Sequence, residues 1–261
     1  MRFFRLTGSY LRIGVANEFQ YRANLFIQIL QSVIALAVGL IGLALVYGQT
    51  EALGGWTRTE LLAVMGIFML MGGLIQAAIQ PNMQRLMGDI QEGTLDYALT
   101  KPVDAQALIS VREFRLWKLV DVILGLSVLG VAIYQMQSEI GFWQAIAFVL
   151  ALIMGGVMIY CFWLMLTSTA FWIIRVDEMV NLFEGIYAAG RWPVSVYPDW
   201  LRWGLTFLVP VAFAVTVPAE AITGRLTPLT LLGAFGLMLL LMALARFVFR
   251  KGVKNYAGAS A

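Results

Sequence analysis

The sequence has no histidine and only one cysteine, Cys161, among its 261 residues. Histidine is the commonest general base and a common metal ligand, so its absence argues against most hydrolytic and metal-dependent enzymes. A single cysteine forms no disulfide within the chain and no cysteine cluster for a metal. Cys161 lies in an apolar run, where we expect a buried packing residue. The sequence therefore predicts no catalytic residue and no metal site.

Charged residues are also scarce, at 13% of the chain, while hydrophobic residues make up 61% and the mean hydropathy is +0.82. A typical soluble domain is about 25% charged and about 45–50% apolar. One ordinary core cannot hold this excess, so we expect membrane lipid to cover much of the surface. The net charge of +3 is too small to predict a nucleic-acid partner.

Six apolar segments predict membrane-spanning helices, because about 20 residues at 1.5 Å rise cross the hydrocarbon core. They are residues 25–47, 61–80, 119–135, 142–174, 179–190 and 229–249. Thr57 and Glu60 predict a capping box before the second span. No repeat or linker divides the chain, so we predict an all-α integral membrane protein with a single transmembrane domain over residues 1–261.

Residues 1–24 precede the first span and predict an amphipathic helix in the headgroup plane. Apolar residues such as Phe3 and Leu6 recur at helical spacing, and Arg5 and Arg12 fall on the opposite side. This arrangement is typical of a helix whose apolar face contacts lipid while its basic face meets water.

Residues 191–228 differ from the spans because they hold four of the seven prolines, namely Pro193, Pro198, Pro210 and Pro218. Aromatic residues cluster near their start, as at a membrane–water interface. Proline-interrupted backbone is tolerated at membrane depth only against protein or a cavity. We predict a re-entrant segment on the outer side rather than another crossing.

The distribution of Lys and Arg predicts the orientation. With both termini inside and six spans, 14 of the 18 basic residues lie on the inner side and 4 on the outer side. Because basic residues are enriched in cytoplasmic segments, we predict a multi-pass protein of the plasma (inner) membrane with both termini in the cytoplasm.

The longest segment between spans, residues 81–118, is predicted to be cytoplasmic. Part of it reads Asp89-Ile90-Gln91-Glu92-Gly93-Thr94-Leu95-Asp96-Tyr97-Ala98-Leu99-Thr100-Lys101-Pro102-Val103. Gly93 predicts the C-terminal cap of a short helix. Apolar residues alternate here with acidic ones, which favours contact with a partner surface; the alternative is a loop folded against the bilayer.

This stretch resembles a cytoplasmic signature of ABC transporter type 2 permeases. In that family an Ile, a Gly, a Leu-Asp-Tyr and a Lys/Arg-Pro follow the second span. The proline-rich stretch that begins at Tyr197 and the basic tail that ends near Tyr256 resemble later parts of the family pattern, in the same order.

The resemblance implies six helices, a cytoplasmic coupling helix after the second and a partly re-entrant segment before the sixth. It implies that two permease subunits pair, as copies of this chain or as related chains, and that each docks on an ABC ATP-binding subunit. The implied ATPase-coupling residues are Asp89, Ile90, Glu92, Gly93, Thr94, Leu95, Asp96 and Tyr97. ATP and Mg²⁺ are expected in that partner, since this chain has no G-x-x-x-x-G-K-[ST] phosphate-binding motif. We expect the chain to bind no cofactor directly and not to be an enzyme.

Polar residues within the spans are candidates for a translocation pathway, namely Gln28, Gln31, Gln76, Gln80, Asn181 and Glu184. Such groups are costly in lipid and usually face a bundle interior or a wet cavity. The alternative is hydrogen bonding between helices, which contributes ~0.6 kcal/mol per bond. For Glu184 the sequence favours the pathway and a place toward the outer part of the bundle.

Two other functions compete with the permease of an ATP-driven exporter. A proton-coupled secondary transporter using Glu184 and Asp121 would not need the exposed cytoplasmic segment, and such transporters commonly contain repeats. An intramembrane enzyme has little support without a paired catalytic constellation. The transported substrate is not encoded in any motif of the sequence.

Overall fold

The computed structural model describes residue 8 and residues 22–50, 52–136, 140–172 and 179–256, with side chains except at 22–25, 179 and 180. The helices, in chain order, are α1 (Arg22–Tyr47), α2 (Arg58–Leu74), α3 (Gln80–Gln91), α4 (Asp96–Leu99), α5 (Ala105–Ile109), α6 (Leu119–Met136), α7 (Phe142–Ser168), α8 (Met179–Ala188), α9 (Asp199–Trp203), α10 (Val217–Ile222) and α11 (Pro228–Lys254). Within these ranges the only strand-like pairing is an isolated bridge between Leu53 and Trp56. The predicted all-α fold is confirmed.

Five of the predicted spans coincide with helices that are long and apolar enough to cross a membrane. These are Phe26–Tyr47, Arg58–Gln91, Leu116–Met136, Phe142–Phe171 and Pro228–Lys254. The N-terminal amphipathic helix predicted for residues 1–24 falls outside the described residues, apart from residue 8 and the backbone of 22–24.

The fifth predicted span is represented by α8, which is ten residues long as described. The chain before it is described up to Trp172, and the ring of Phe171 packs against Phe249 and Tyr256 at the C-terminal end of α11. The chain after it reaches Ser195, which binds Trp56 at the opposite end of the bundle. The chain segment that contains α8 therefore runs between the two ends of the bundle.

The second span does not end at Gln80, where the sequence placed its boundary. Helix α2 continues through a π-helical turn, Ile75–Ile79, into α3, which ends at Gln91. At 1.5 Å per residue the 34 residues of this continuous helix extend about 50 Å, well beyond a hydrocarbon core of about 30 Å. The predicted cytoplasmic helix is thus the projecting end of the second span.

Helices α2 and α6 pack closely because glycines face each other across the contact. A Cβ atom on Gly66 would lie 2.7 Å from the backbone nitrogen of Leu129. A Cβ atom on Gly125 would lie 2.5 Å from the backbone nitrogen of Leu70. Alanine at either position would force the two backbones apart, so these glycines set the helix separation.

The start of α2 is fixed by its own cap and by the segment before α11. The predicted capping box at Thr57 and Glu60 is confirmed, with the Thr57 N–H donating to Glu60 Oε2 at 2.7 Å. Arg225 donates to both carboxylate oxygens of Glu60, at 2.7 and 2.8 Å, and its guanidinium lies 4.7 Å from the centre of the Trp56 ring.

Both ends of residues 191–228 therefore lie at one end of the bundle, through Ser195 and Arg225. Between them the helical pair Asp199–Leu208 and Ala212–Ile222 is bent by 80°. A Cβ atom on Gly155, halfway along α7, would lie 2.7 Å from the Cα atom of Ala214, so the second arm of the bend reaches the depth of the bundle centre. These contacts favour a re-entrant segment over a further crossing, and the assignment stays a prediction.

Candidate functional site

A cavity of about 280 Å³ with a mixed polar and apolar lining opens between α1, α2, the π-helical turn, the start of α6 and α8. Its polar lining residues are Gln28, Gln31, Ser32, Gln76, Gln80, Lys118, Asp121 and Glu184, and its aromatic ones are Phe68, Phe183 and Tyr187. Five of the six predicted pathway residues thus meet around one space. The sixth, Asn181, is exposed and does not line the cavity.

Glu184 is held by a hydrogen bond across the cavity, in which Gln80 Nε2 donates to Glu184 Oε1 at 3.0 Å. One turn further along α8, the Tyr187 hydroxyl donates to the carbonyl of Phe68 at 2.9 Å, and the two rings stack with centroids 4.9 Å apart. These contacts fix α8 against the second span and hold Glu184, which remains exposed, at the wall of the cavity.

The cavity contains a second carboxylate that already has a counter-ion. Asp121 lies 4.0 Å from the ammonium group of Lys118, one turn earlier on the same chain segment. The described partner of Glu184 is an uncharged amide. With these groups ionised, the lining carries one more negative charge than positive charge, beside three aromatic rings.

The position of Glu184 differs from the sequence-based expectation. Its contact with Gln80 places it level with the beginning of the projecting helix α3 and with Lys118, at the predicted inner end of the bundle. The sequence analysis also missed the aromatic wall, although Phe183 and Tyr187 lie at i and i+4 and flank Glu184 on α8. That spacing is the local signal that could have found them.

The predicted coupling segment begins where α3 ends, and its turn is built around Gly93. This residue has φ +72°, a left-handed conformation that favours glycine. The Thr94 N–H donates to the Asp89 carbonyl at 2.9 Å and the Gly93 N–H to the Ile90 carbonyl at 3.4 Å, as in a Schellman motif. The predicted glycine cap is confirmed.

The predicted coupling residues separate into a set that is buried or half-buried and an exposed set. Leu95 is fully buried, Ile90 packs against the core and Asp89 forms an ion pair with Arg112 at 2.5 Å. Glu92, Asp96 and Tyr97 are exposed, and the Tyr97 side chain is 77% accessible. The buried set anchors the segment, so that the exposed set is presented from a fixed backbone.

The far part of the predicted cytoplasmic segment is attached to α11. Asp104 caps α5 and binds the guanidinium of Arg246, which also donates to Gln106 at 2.8 Å. The Arg246 hydrogen bond lowers the pKa of the Asp104 carboxyl to about 2 from the usual 3.8. Because the folded-state pKa is depressed, the stabilisation is complete above pH 4 and is lost as the pH falls toward 2. Both side chains are about a third or more exposed, so we expect the pair to contribute less than about 1 kcal/mol.

Comparison with known proteins identifies the family. A family profile described as "ABC-2 family transporter protein" matches residues 33–260. None of the curated proteins and none of the solved structures matches the chain significantly. The profile match begins within α1, after the cavity-lining residues Gln28, Gln31 and Ser32, and includes the rest of the cavity lining, the projecting helix, the bent segment and α11. The chain belongs to the ABC-2 transporter family, and is a membrane permease of the ABC transporter class.

Proposed function

We propose that this protein is the transmembrane subunit of an ATP-driven exporter, that it forms half of the translocation pathway, and that a separate ATP-binding subunit docks on its cytoplasmic segment. The observation that carries the proposal is the continuous helix Arg58–Gln91. One part of it lines the cavity through Gln76 and Gln80, and its end presents the exposed residues around Gly93. One continuous helix thus joins the cavity to the proposed docking surface.

The docking surface consists of Glu92, Asp96 and Tyr97. An exposed tyrosine flanked by carboxylates is suited to a groove that has an apolar floor and a basic rim, and Tyr is enriched among the residues that dominate interface energies. The segment is held by the Asp89–Arg112 pair, so little conformational entropy is lost when a partner binds.

The cavity is proposed as the inner part of the pathway. Intramembrane carboxylates and amides that share one space mark transport routes more often than plain packing contacts. One face of α1 exposes Leu30, Ile34, Val38 and Ile41 at helical spacing. We assign this face to membrane lipid or to the second permease subunit, either a copy of this chain or a related one.

ATP and Mg²⁺ belong to the partner in this proposal. The chain carries no phosphate-binding loop, and among the described residues no group of His, Cys, Asp and Glu side chains is arranged to hold a metal ion. The permease therefore contributes docking and pathway, while the ATP-binding subunit contributes hydrolysis. The proposed location is the plasma membrane with both termini in the cytoplasm, in keeping with the distribution of basic residues.

One observation favours the alternative of a proton-coupled secondary transporter, since Glu184 and Asp121 line the same cavity. Family membership and the exposed segment both favour the ATP-driven mechanism over it. Purification of the tagged chain from its native membrane separates the two. We expect ATPase activity in the preparation that retains an ATP-binding subunit, and only background activity after that subunit is removed. Sustained hydrolysis by the chain alone would refute the proposed division of labour.

A further inference from the structure

Pro81 lies inside the continuous second helix and explains its π-helical turn. Proline has no N–H to donate, and its ring crowds the carbonyl four residues earlier, which here is Ala77. The helix widens over Ile75–Ile79, immediately before the proline. The carbonyl of Ala77 instead accepts the backbone N–H of Arg115 at 2.9 Å.

The next residue, Asn82, also binds the chain segment that contains Arg115, and every polar atom of its side chain takes part in hydrogen bonds. Its Oδ1 accepts the backbone N–H groups of Arg112 and Glu113 at 2.8 and 2.9 Å. Its Nδ2 donates to the carbonyls of Ala78 and Glu113, both at 2.7 Å. Asn82 is 1% exposed, so its side-chain amide is buried and depends on these bonds for its hydrogen-bonding partners.

Two side-chain contacts strengthen this attachment beyond Asn82, toward the end of α3. The guanidinium of Arg115 donates to Gln84 Oε1 at 2.7 Å, and that of Arg112 pairs with Asp89 next to the Gly93 turn. Residues 112–115 are thus bonded to the second helix from the π-helical turn down to the proposed docking surface.

The π-helical turn also forms part of the cavity wall. Ile75 and Gln76 line the cavity directly, and Gln80, at the end of the turn, holds Glu184. A change in the bonding of the turn therefore changes the placement of both glutamines. A π-helical turn contains one residue more than an α-helical turn. Conversion of the π-helical turn to an α-helical turn therefore rotates the part of the helix before the turn relative to the part after it by about 100°.

We propose that the Pro81–Asn82 junction transmits movement of the docking surface to the cavity, with Asn82 as a positioning residue. The inference rests on the proposed function. When the partner displaces the Asp89–Tyr97 segment, residues 112–115 move with it through the Asp89–Arg112 pair. The bonds to Asn82 and to the Ala77 carbonyl then carry that displacement into the π-helical turn and reorient Gln76 and Gln80.

A second attachment of the same cytoplasmic segment supplies a matched control. The Tyr160 hydroxyl bonds to Ser110 at 2.8 Å and to Gln106 at 3.2 Å, which ties α5 to α7. Tyr160 is not among the residues that line the cavity, and neither of its two hydrogen bonds involves the π-helical turn. Tyr160→Phe therefore removes buried hydrogen bonds from the segment without touching the junction.

The test uses the complex of permease and ATP-binding subunit in lipid nanodiscs, with Cys161→Ser and Gln76→Cys, and N-ethylmaleimide as the probe. In the complex that carries only these two substitutions, the parent for the comparison, we expect a non-hydrolysable ATP analogue to change the labelling rate at position 76 by about fivefold or more. Asn82→Ala should abolish the change while ATP binding and co-purification of the partner persist. Tyr160→Phe should retain it.

Pro81→Ala is the second variant, in case Asn82→Ala assembles poorly. It restores an N–H that competes with Arg115 for the Ala77 carbonyl, removes no existing hydrogen bond, and should also reduce the ATP-dependent change. An unchanged ATP response in Asn82→Ala or in Pro81→Ala would overturn the junction's role. Absence of any ATP response in the parent complex would instead contradict the proposed function itself.

Discussion

Replacing Gly93 by proline is expected to detach the ATP-binding subunit and abolish transport. Gly93 has φ +72°, whereas proline requires φ near −65°, and the substitution also removes the Gly93 N–H bond to Ile90. The local cost is about 3 kcal/mol or more, which corresponds to roughly a hundredfold loss in docking affinity if the turn unfolds. Co-purification of the partner with the tagged permease measures the effect.

Gly93→Asn is the matched control, since asparagine tolerates the left-handed conformation better than other non-glycine residues. It should retain most of the partner, and both variants should insert into the membrane at parental levels. Glu92→Arg tests the surface separately, because it reverses a charge without disturbing the turn. Normal partner retention in both Gly93→Pro and Glu92→Arg would place the docking surface elsewhere.

Glu184→Gln is expected to change the transport rate or the substrate preference by about tenfold or more while leaving stability unchanged. The glutamine side chain keeps the size of the original and an oxygen that accepts from Gln80. It removes the negative charge that has no counter-ion within the described cavity lining. Efflux of a compound that the wild-type complex exports, found by screening, provides the readout.

Glu184→Leu distinguishes a role in transport from one in packing. It leaves Gln80, which is 4% exposed, without its described partner. The free energy of unfolding should therefore fall by about 1–3 kcal/mol, which is detected as a lower melting temperature of the detergent-solubilised complex. If Glu184→Gln transports normally and only Glu184→Leu is unstable, Glu184 serves as a helix-packing residue and the cavity loses its main functional candidate.

Features that depend on local chemistry could be predicted from the sequence. Hydropathy located the long spans, since each consists of about 20 apolar residues. Two helix ends were also predictable from local sequence. Thr57 and Glu60 form the capping box at the start of α2, and Gly93 adopts the left-handed conformation that ends α3. The glutamine pairs of the first two spans line one cavity, because helical spacing places each pair on one face. Their role in a translocation pathway stays a prediction.

The junction at Pro81 could not be predicted locally. Proline within a chain segment predicts a helix boundary at the preceding residue, which here is Gln80, the predicted end of the second span. The helix continues because Arg115, 34 positions after Pro81 in the sequence, supplies a donor for the Ala77 carbonyl. The hydrogen bond between Gln80 and Glu184 likewise joins residues 104 positions apart. Periodicity in a single sequence does not predict which residues are in contact at that separation.

The measurement that tests the central claim most directly is site-specific photo-cross-linking in the native membrane. A photoreactive amino acid replaces Tyr97 at the proposed docking surface or, as a control, Trp200, which is similarly exposed at the opposite end of the bundle. The account predicts a cross-link from position 97, and none from position 200, to a chain that carries a phosphate-binding loop. An active complex in which position 97 forms no such cross-link, or in which position 200 does, would contradict it.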